Sequence, residues 1–250
     1  MPEAVNVAPF YLDWQFWAAF IACLALILSQ LPPIKFFLRP RKLVVEVHRK
    51  VEVTHKAGNP NIAFFISIQN KSWRDFRVKS MSVGLFRDGR HVGTFEGQSY
   101  FENLKDSTQV LLVPFTLAPG EGWAHNTCFW NDLDRADEQH FRKCEAELSN
   151  QIRIRFNERP EGDNSLVAAD DELVKPFLEM FDRLFIWNPG EYTLKLSVVA
   201  DPAGASFEGG YSFTMFESDA DELRASTENF KYGFGISINK PNSVYLPIRK

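Results

Sequence analysis

Four residues have the types and spacing of a metal site. His125 and Cys128 have two positions between them, and His140 and Cys144 have three. Two imidazoles and two thiolates suit tetrahedral zinc. Geometry argues against it. With 122–130 as a regular strand, residues three apart point to opposite faces, so His125 and Cys128 cannot converge without a turn. His140 and Cys144 do share a helix face, but that face also carries Leu133 and Leu148. A free cysteine there packs as a small hydrophobe. The quartet is the one candidate donor set, and the expectation is no metal and no cofactor.

Other constellations are weaker. The acidic run Asp132, Asp134, Asp137 and Glu138 lacks the glycine and terminal glutamate of a calcium loop. It reads as the acidic start of a helix. Ser218, Asp219 and His140 form no nucleophile arrangement. Gly209-Gly210 and the pair Gly233/Gly235 do not follow the strand–glycine–helix order of a phosphate loop. The chain is not expected to be an enzyme.

The most informative segment is N-terminal. From Trp14 to Ile34 there is no charged side chain, and Lys35, Arg39, Arg41, Lys42, Arg49 and Lys50 follow. A helix of about 20 residues crosses the ~30 Å hydrocarbon core of a bilayer. The residues before the run contain Glu3 and Asp13 but no Lys or Arg, which is unlike a secretory signal. The charge bias predicts a single-pass helix over 14–34 in the cell (inner) membrane. Residues 1–13 would lie outside, a basic linker over 35–42 would follow, and the C-terminal domain would be cytoplasmic. Trp14 and Trp17 suit the outer interface, while Leu24, Leu26 and Leu28 fill the apolar centre. Ala18 and Ala22 are four apart on one face, a spacing that permits close helix approach and homo-oligomers.

Charge narrows the partners. The net charge is −4; residues 1–34 carry −2 and residues 35–50 carry +5, leaving −7 on the rest. A domain of that sign is a poor partner for nucleic acid, which needs a basic face. Three cysteines, one of them in the apolar run, give no disulfide framework.

Residues 43–250 read as β-rich. Leu43, Val45, Val47, Val51 and Val53 alternate with polar residues, as do Ile62, Phe64, Ile66 and Ile68. A phase slip between Val78 and Met81 predicts a bulge near Ser80. Asp88-Gly89 predicts a hairpin turn. Residues 109–117 read as an edge strand because Pro114 cannot donate to a ladder. Further strands are expected at 123–130, 152–156, 192–198, 211–215 and 230–238. Helices are expected over 131–150, within 171–187, and over 219–229 behind a Ser218 cap. Loop 157–170 is expected to be the mobile insertion.

The run ending in IQNKS, followed by VKSMSVGLFRDG, resembles the early strands of immunoglobulin-like sandwiches, and PGEYTLKLSVVAD resembles a late one. The Cys…Trp…Cys spacing of true immunoglobulin domains is absent. The resemblance implies an immunoglobulin-like antiparallel β-sandwich with two or three helical insertions. With the N-terminal helix, this predicts a single-pass scaffold that presents its sandwich to a protein partner. The alternative is a defence-type effector: its β domain senses a ligand or partner, and its helix oligomerises to perturb the bilayer.

Overall fold

The computed structural model describes residues 14–30, 42–103, 108–160, 162–238 and 242–250. The chain divides into two units, Met1–Pro40 and Arg41–Lys250.

In the first unit, α1 spans Trp14–Gln30, 17 residues without a charge. Every side chain from Trp14 to Ser29 is exposed. At about 1.5 Å per residue these 17 described residues measure about 26 Å, against the ~30 Å of a bilayer core. Among the described residues no helix is long and apolar enough to cross a membrane. Of the span expected over 14–34, the described part is the helix over 14–30, which does not by itself qualify as a membrane span. Residues 31–34 and the basic positions Lys35, Arg39 and Arg41 lie outside the described residues; Lys42 is exposed.

The second unit is an antiparallel β fold with, among the described residues, three α-helices. β1 (Val44–Val47) and β2 (Lys50–Lys56) form one interrupted strand along β3 (Asn59–Gln69). β4 (Phe76–Arg87) turns through Asp88 and Gly89, both at positive φ, into β5 (Arg90–Phe101). After β6 (Gln109–Leu111), β7 (Phe115–Leu117) and β8 (Gly122–Trp130) come α2 (Arg135–Asn157) and α3 (Asp171–Leu184). β9 (Gly190–Asp201), β10 (Phe207–Met215), α4 (Glu217–Ala225) and β11 (Val244–Pro247) complete it. The strand order is β10-β9-β4-β5-β8-β3-β2-β11.

β5 is the corner. Its first half pairs with β4 and its second half with β8, and the register shifts between Gly97 and Ser99. Where β4 and β5 part, β7 pairs with β4 and β6 with β5. A Cβ on Gly97 would lie 3.0 Å from Leu112 and 3.1 Å from the Met81 carbonyl, so a side chain there would make its neighbours give by a few tenths of an ångström. At the opposite side, Ser212 and Arg249 exchange both backbone hydrogen bonds, at 2.7 and 2.9 Å, and join β10 to the chain beyond β11. The sheet therefore folds over into a sandwich-like, laterally closed body.

Inside it, Ile62, Phe64, Ile66 and Ile68 of β3 join Val83 and Leu85 of β4 and Leu194, Leu196 and Val198 of β9. Each such fully buried side chain contributes about 2 kcal/mol. A second core joins Phe141, Cys144 and Leu148 of α2 to Val174, Phe177, Met180 and Phe181 of α3.

Several expectations hold. The register of β4 against β9 shifts between Val78 and Ser80, the predicted bulge. Helices 131–150 and 171–187 are present in shortened or extended form. Three expectations are corrected. The predicted strand 152–156 is the last turns of α2, whose apolar row Phe141, Cys144, Leu148 continues to Ile152, while Ile154 and Phe156 are exposed. The predicted strand 230–238 is the end of a 3-10 segment, Ser226–Tyr232, and a run of turns in which Gly233 and Gly235 have positive φ. The helix expected over 219–229 starts instead at Glu217, and Asp219 rather than Ser218 caps it, accepting the Phe216 N–H at 2.9 Å.

Candidate functional site

A cleft of about 700 Å³ opens in the second unit, in the size range of small-ligand sites. Its lining comes from four separate stretches of chain, 54–61, 108–109, 130–145 and 235–238. These include the end of β2, the start of β3, Gln109 of β6, the β8–α2 connection, α2, and the turn 235–238.

The hairpin between β2 and β3 fixes one wall. Ala57 and Gly58 both take positive φ, +47° and +91°, the conformation of a tight two-residue hairpin. Gly58 is pressed onto α3: a Cβ there would stand 2.7 Å from the Phe181 Cα. His55 holds the turn from within. Its Nδ1 accepts the Gly58 N–H at 3.1 Å, which leaves Nε2 to carry the proton. Nε2–H faces the Leu223 carbonyl at 3.0 Å and Ser226 Oγ at 3.0 Å. The ring packs edge-on against Phe181 and Phe185. Burial lowers the His55 pKa, against a smaller raising effect of the Leu223 carbonyl. His55 is a neutral structural histidine.

The opposite wall is α2. Glu138, Phe141 and Glu145 follow one another at i, i+3 and i+7, so they share one face. Its start is set by Asp134, whose carboxylate accepts the Asp137 N–H at 2.8 Å. Across the cleft, the Lys56 ammonium lies 4.6 Å from the centre of the Phe141 ring, within cation–π range. Glu138 is paired with Arg142 in the next turn.

Most amides of the lining are engaged. Asn131 donates to the Thr94 carbonyl at 2.6 Å and accepts the Glu96 N–H at 3.3 Å. Asn59 donates to the Asn131 carbonyl at 2.9 Å. Gln109 accepts from Ser99 Oγ at 2.7 Å. Asn61 differs: its Oδ1 is buried without a hydrogen-bond donor.

The metal quartet does not assemble. His125 pairs across from Ile66 and Cys128 from Ala63, a register that puts them on opposite faces of β8. His125 Nδ1–H donates to the Phe101 and Glu102 carbonyls, both at 3.2 Å, and the ring lies among Tyr100 and Trp123. Cys144 Sγ is 3.8 Å from His140 Nε2, a contact within one helix. Among the described residues no group of three or more metal-donor side chains is found. Desolvation pushes the Cys128 thiol up to about 12, the opposite of a metal-ready thiolate.

The other expected surfaces are resolved individually. Pro114 separates β6 from β7 rather than lying inside an edge strand, and Leu111 and Val113 are exposed there. The end of loop 157–170 is tied to α2: Arg155 bonds Asp170 and the Ala168 carbonyl, and Gln151 donates to Asp170 at 2.6 Å. Trp187 is fully buried and donates to the Thr54 carbonyl at 3.0 Å, Trp123 stacks on Phe115, and Trp130 lines the cleft.

Sequence reasoning missed the cleft because no local spacing links its walls. The one readable signal was the Glu138–Phe141–Glu145 helix face. In comparisons with known proteins, the chain matches no family model and no curated protein.

Proposed function

We propose that this chain is a membrane-anchored binding protein: α1 seats in a bilayer, and the β-sandwich, read as immunoglobulin-like from its early and late strands, is held at the inner face for a protein partner. The observation that carries this reading is α1 itself. From Phe16 to Leu28 it is apolar around its whole circumference, and it is exposed there, with Trp17, Phe20, Ile21, Leu24 and Leu28 among the exposed side chains. A helix apolar all round is stable only where an apolar medium surrounds it. The basic positions from Lys35 to Lys42 favour an anionic inner leaflet and a cytoplasmic domain. Anchoring would raise the sandwich's effective concentration at the membrane.

The test is flotation of the full chain with vesicles containing anionic lipid, followed by crosslinking and identification of what co-purifies from native membranes. Wild type should float. Leu24→Arg should float poorly, because a charge at the centre of an inserted helix costs about 2.5–3.5 kcal/mol. Ala18→Leu combined with Ala22→Leu should leave flotation and partner capture unchanged. Lost activity in that double variant, with flotation retained, would favour the oligomerising effector instead.

A further inference from the structure

We propose that the 700 Å³ cleft reads an N–H-bearing organic cation, a guanidinium or primary ammonium group, in competition with the chain's own Lys56. The cleft and its ligand are independent of what α1 does.

The argument begins with the cation already there. Lys56 comes from the exposed end of β2, yet its ammonium lies over the Phe141 ring. Phe141 stands between Glu138 and Glu145 on one face of α2, so an aromatic face with a carboxylate on either side looks into the cleft. That is the composition of a cation subsite. Lys56 supplies one positive charge to a lining that also carries Asp132, Glu138 and Glu145. Arg142 neutralises Glu138 on the outer side, and no ion pair is formed by Asp132 or Glu145 among the described residues. An excess of negative charge therefore remains after Lys56 is counted.

A second feature selects the kind of cation. Asn61 Oδ1 is a buried acceptor with no donor, while the neighbouring amides of Asn59, Gln109 and Asn131 are engaged. A buried acceptor without a donor is costly. Turning the Asn61 amide toward the cleft lets a ligand N–H satisfy it. A quaternary ammonium, which has no N–H, could not do so. Trp130 offers a further aromatic surface for the flat face of a guanidinium.

The chemistry has two sources, a free polyamine or an Arg or Lys side chain of a partner protein, and the probes separate them. Calorimetric titration of the full chain in neutral detergent would use N-acetyl-arginine amide, its neutral isostere N-acetyl-citrulline amide, tetramethylammonium, and spermidine. The arginine probe should bind, and the citrulline and tetramethylammonium probes should bind at least about tenfold more weakly. Tighter binding of spermidine than of the arginine probe assigns a polyamine; the reverse order assigns a partner's side chain.

Variants give shifts of opposite sign. Lys56→Gln removes the internal competitor and should tighten the arginine probe about three- to tenfold. Glu145→Gln should weaken it about threefold. Asn61→Leu should weaken it about fivefold, and Asn61→Asp, which keeps the acceptor and adds charge, should tighten it. A variant that only damaged the fold would not tighten binding, so Lys56→Gln and Asn61→Asp keep the proposal exposed to failure. Equal binding of the arginine and citrulline probes, no tightening in Lys56→Gln, or no binding of any cation at millimolar concentration would overturn it.

Discussion

His55 Nδ1 accepts the Gly58 N–H at 3.1 Å, so a side chain of β2 closes the turn that leads out of its own strand. The same ring reaches Leu223 and Ser226 through Nε2. One buried imidazole thus ties the hairpin to α4 and the 3-10 segment behind it. The contact works only while Nδ1 is unprotonated.

That requirement sets a pH dependence. Burial holds His55 below its ordinary value of 6.5. The unfolded chain therefore takes up a proton that the folded chain refuses, and stability rises with pH between the folded and unfolded values. The stabilisation present at neutral pH is lost as pH falls through about 6.5 and levels off below the folded-state value. Melting temperatures measured from about pH 7.5 to about pH 5 should fall more steeply for wild type than for His55→Gln. Parallel slopes would remove His55 from the account.

Gly58 and Gly89 both have positive φ, +91° and +78°, but only Gly58 is crowded. Gly89→Ala meets nothing within 4 Å, so it should cost only the left-handed backbone penalty of about 1 kcal/mol. Gly58→Ala must also push its Cβ against the Phe181 backbone, and should cost about 3 kcal/mol or more. Urea unfolding of the two variants measures the difference. Equal costs would mean that the hairpin does not press on α3.

How much of this was legible beforehand depends on which physical cue governs each segment. Strand pattern was reliable where one face is buried: Ile62 to Ile68, the slip before Ser80, and the Asp88-Gly89 turn all appear as read. It failed at 152–156 because Ile154 and Phe156 alternate on a helix end where neither is buried, so their period carried no packing information. It failed at 230–238 because Gly233 and Gly235 use left-handed backbone, which a strand cannot accommodate. β11 went unread because it is four residues long and ends in a proline. The cleft was illegible for a different reason: Lys56, Asn61 and Glu145 meet only through tertiary folding.

Cysteine reactivity follows from burial. Desolvation takes Cys128 from 9.0 up to about 12, which lowers its thiolate fraction about a thousandfold. Without lipid, native protein at mildly alkaline pH should alkylate at Cys23 and leave Cys128 unmodified until urea is added, as read by mass spectrometry. Rapid native modification of Cys128 would contradict the placement of β6 and Gln109 over it.

The lateral closure is testable near the chain end. Arg249→Pro removes the N–H donated to the Ser212 carbonyl at 2.9 Å. Hydrogen exchange should accelerate about tenfold or more in β10 and β11 while β3 and β8 stay protected. Uniform acceleration would mean that this seam supports the whole sandwich rather than its edge.

The membrane reading meets its most direct test at Cys23, the one exposed cysteine among the three. An environment-sensitive fluorophore attached there, in the full chain, reports what surrounds the middle of α1. With vesicles the account predicts a blue-shifted emission that is quenched by quenchers placed deep in the acyl chains. An emission unchanged by vesicles, or quenched only by a water-soluble agent, would contradict it.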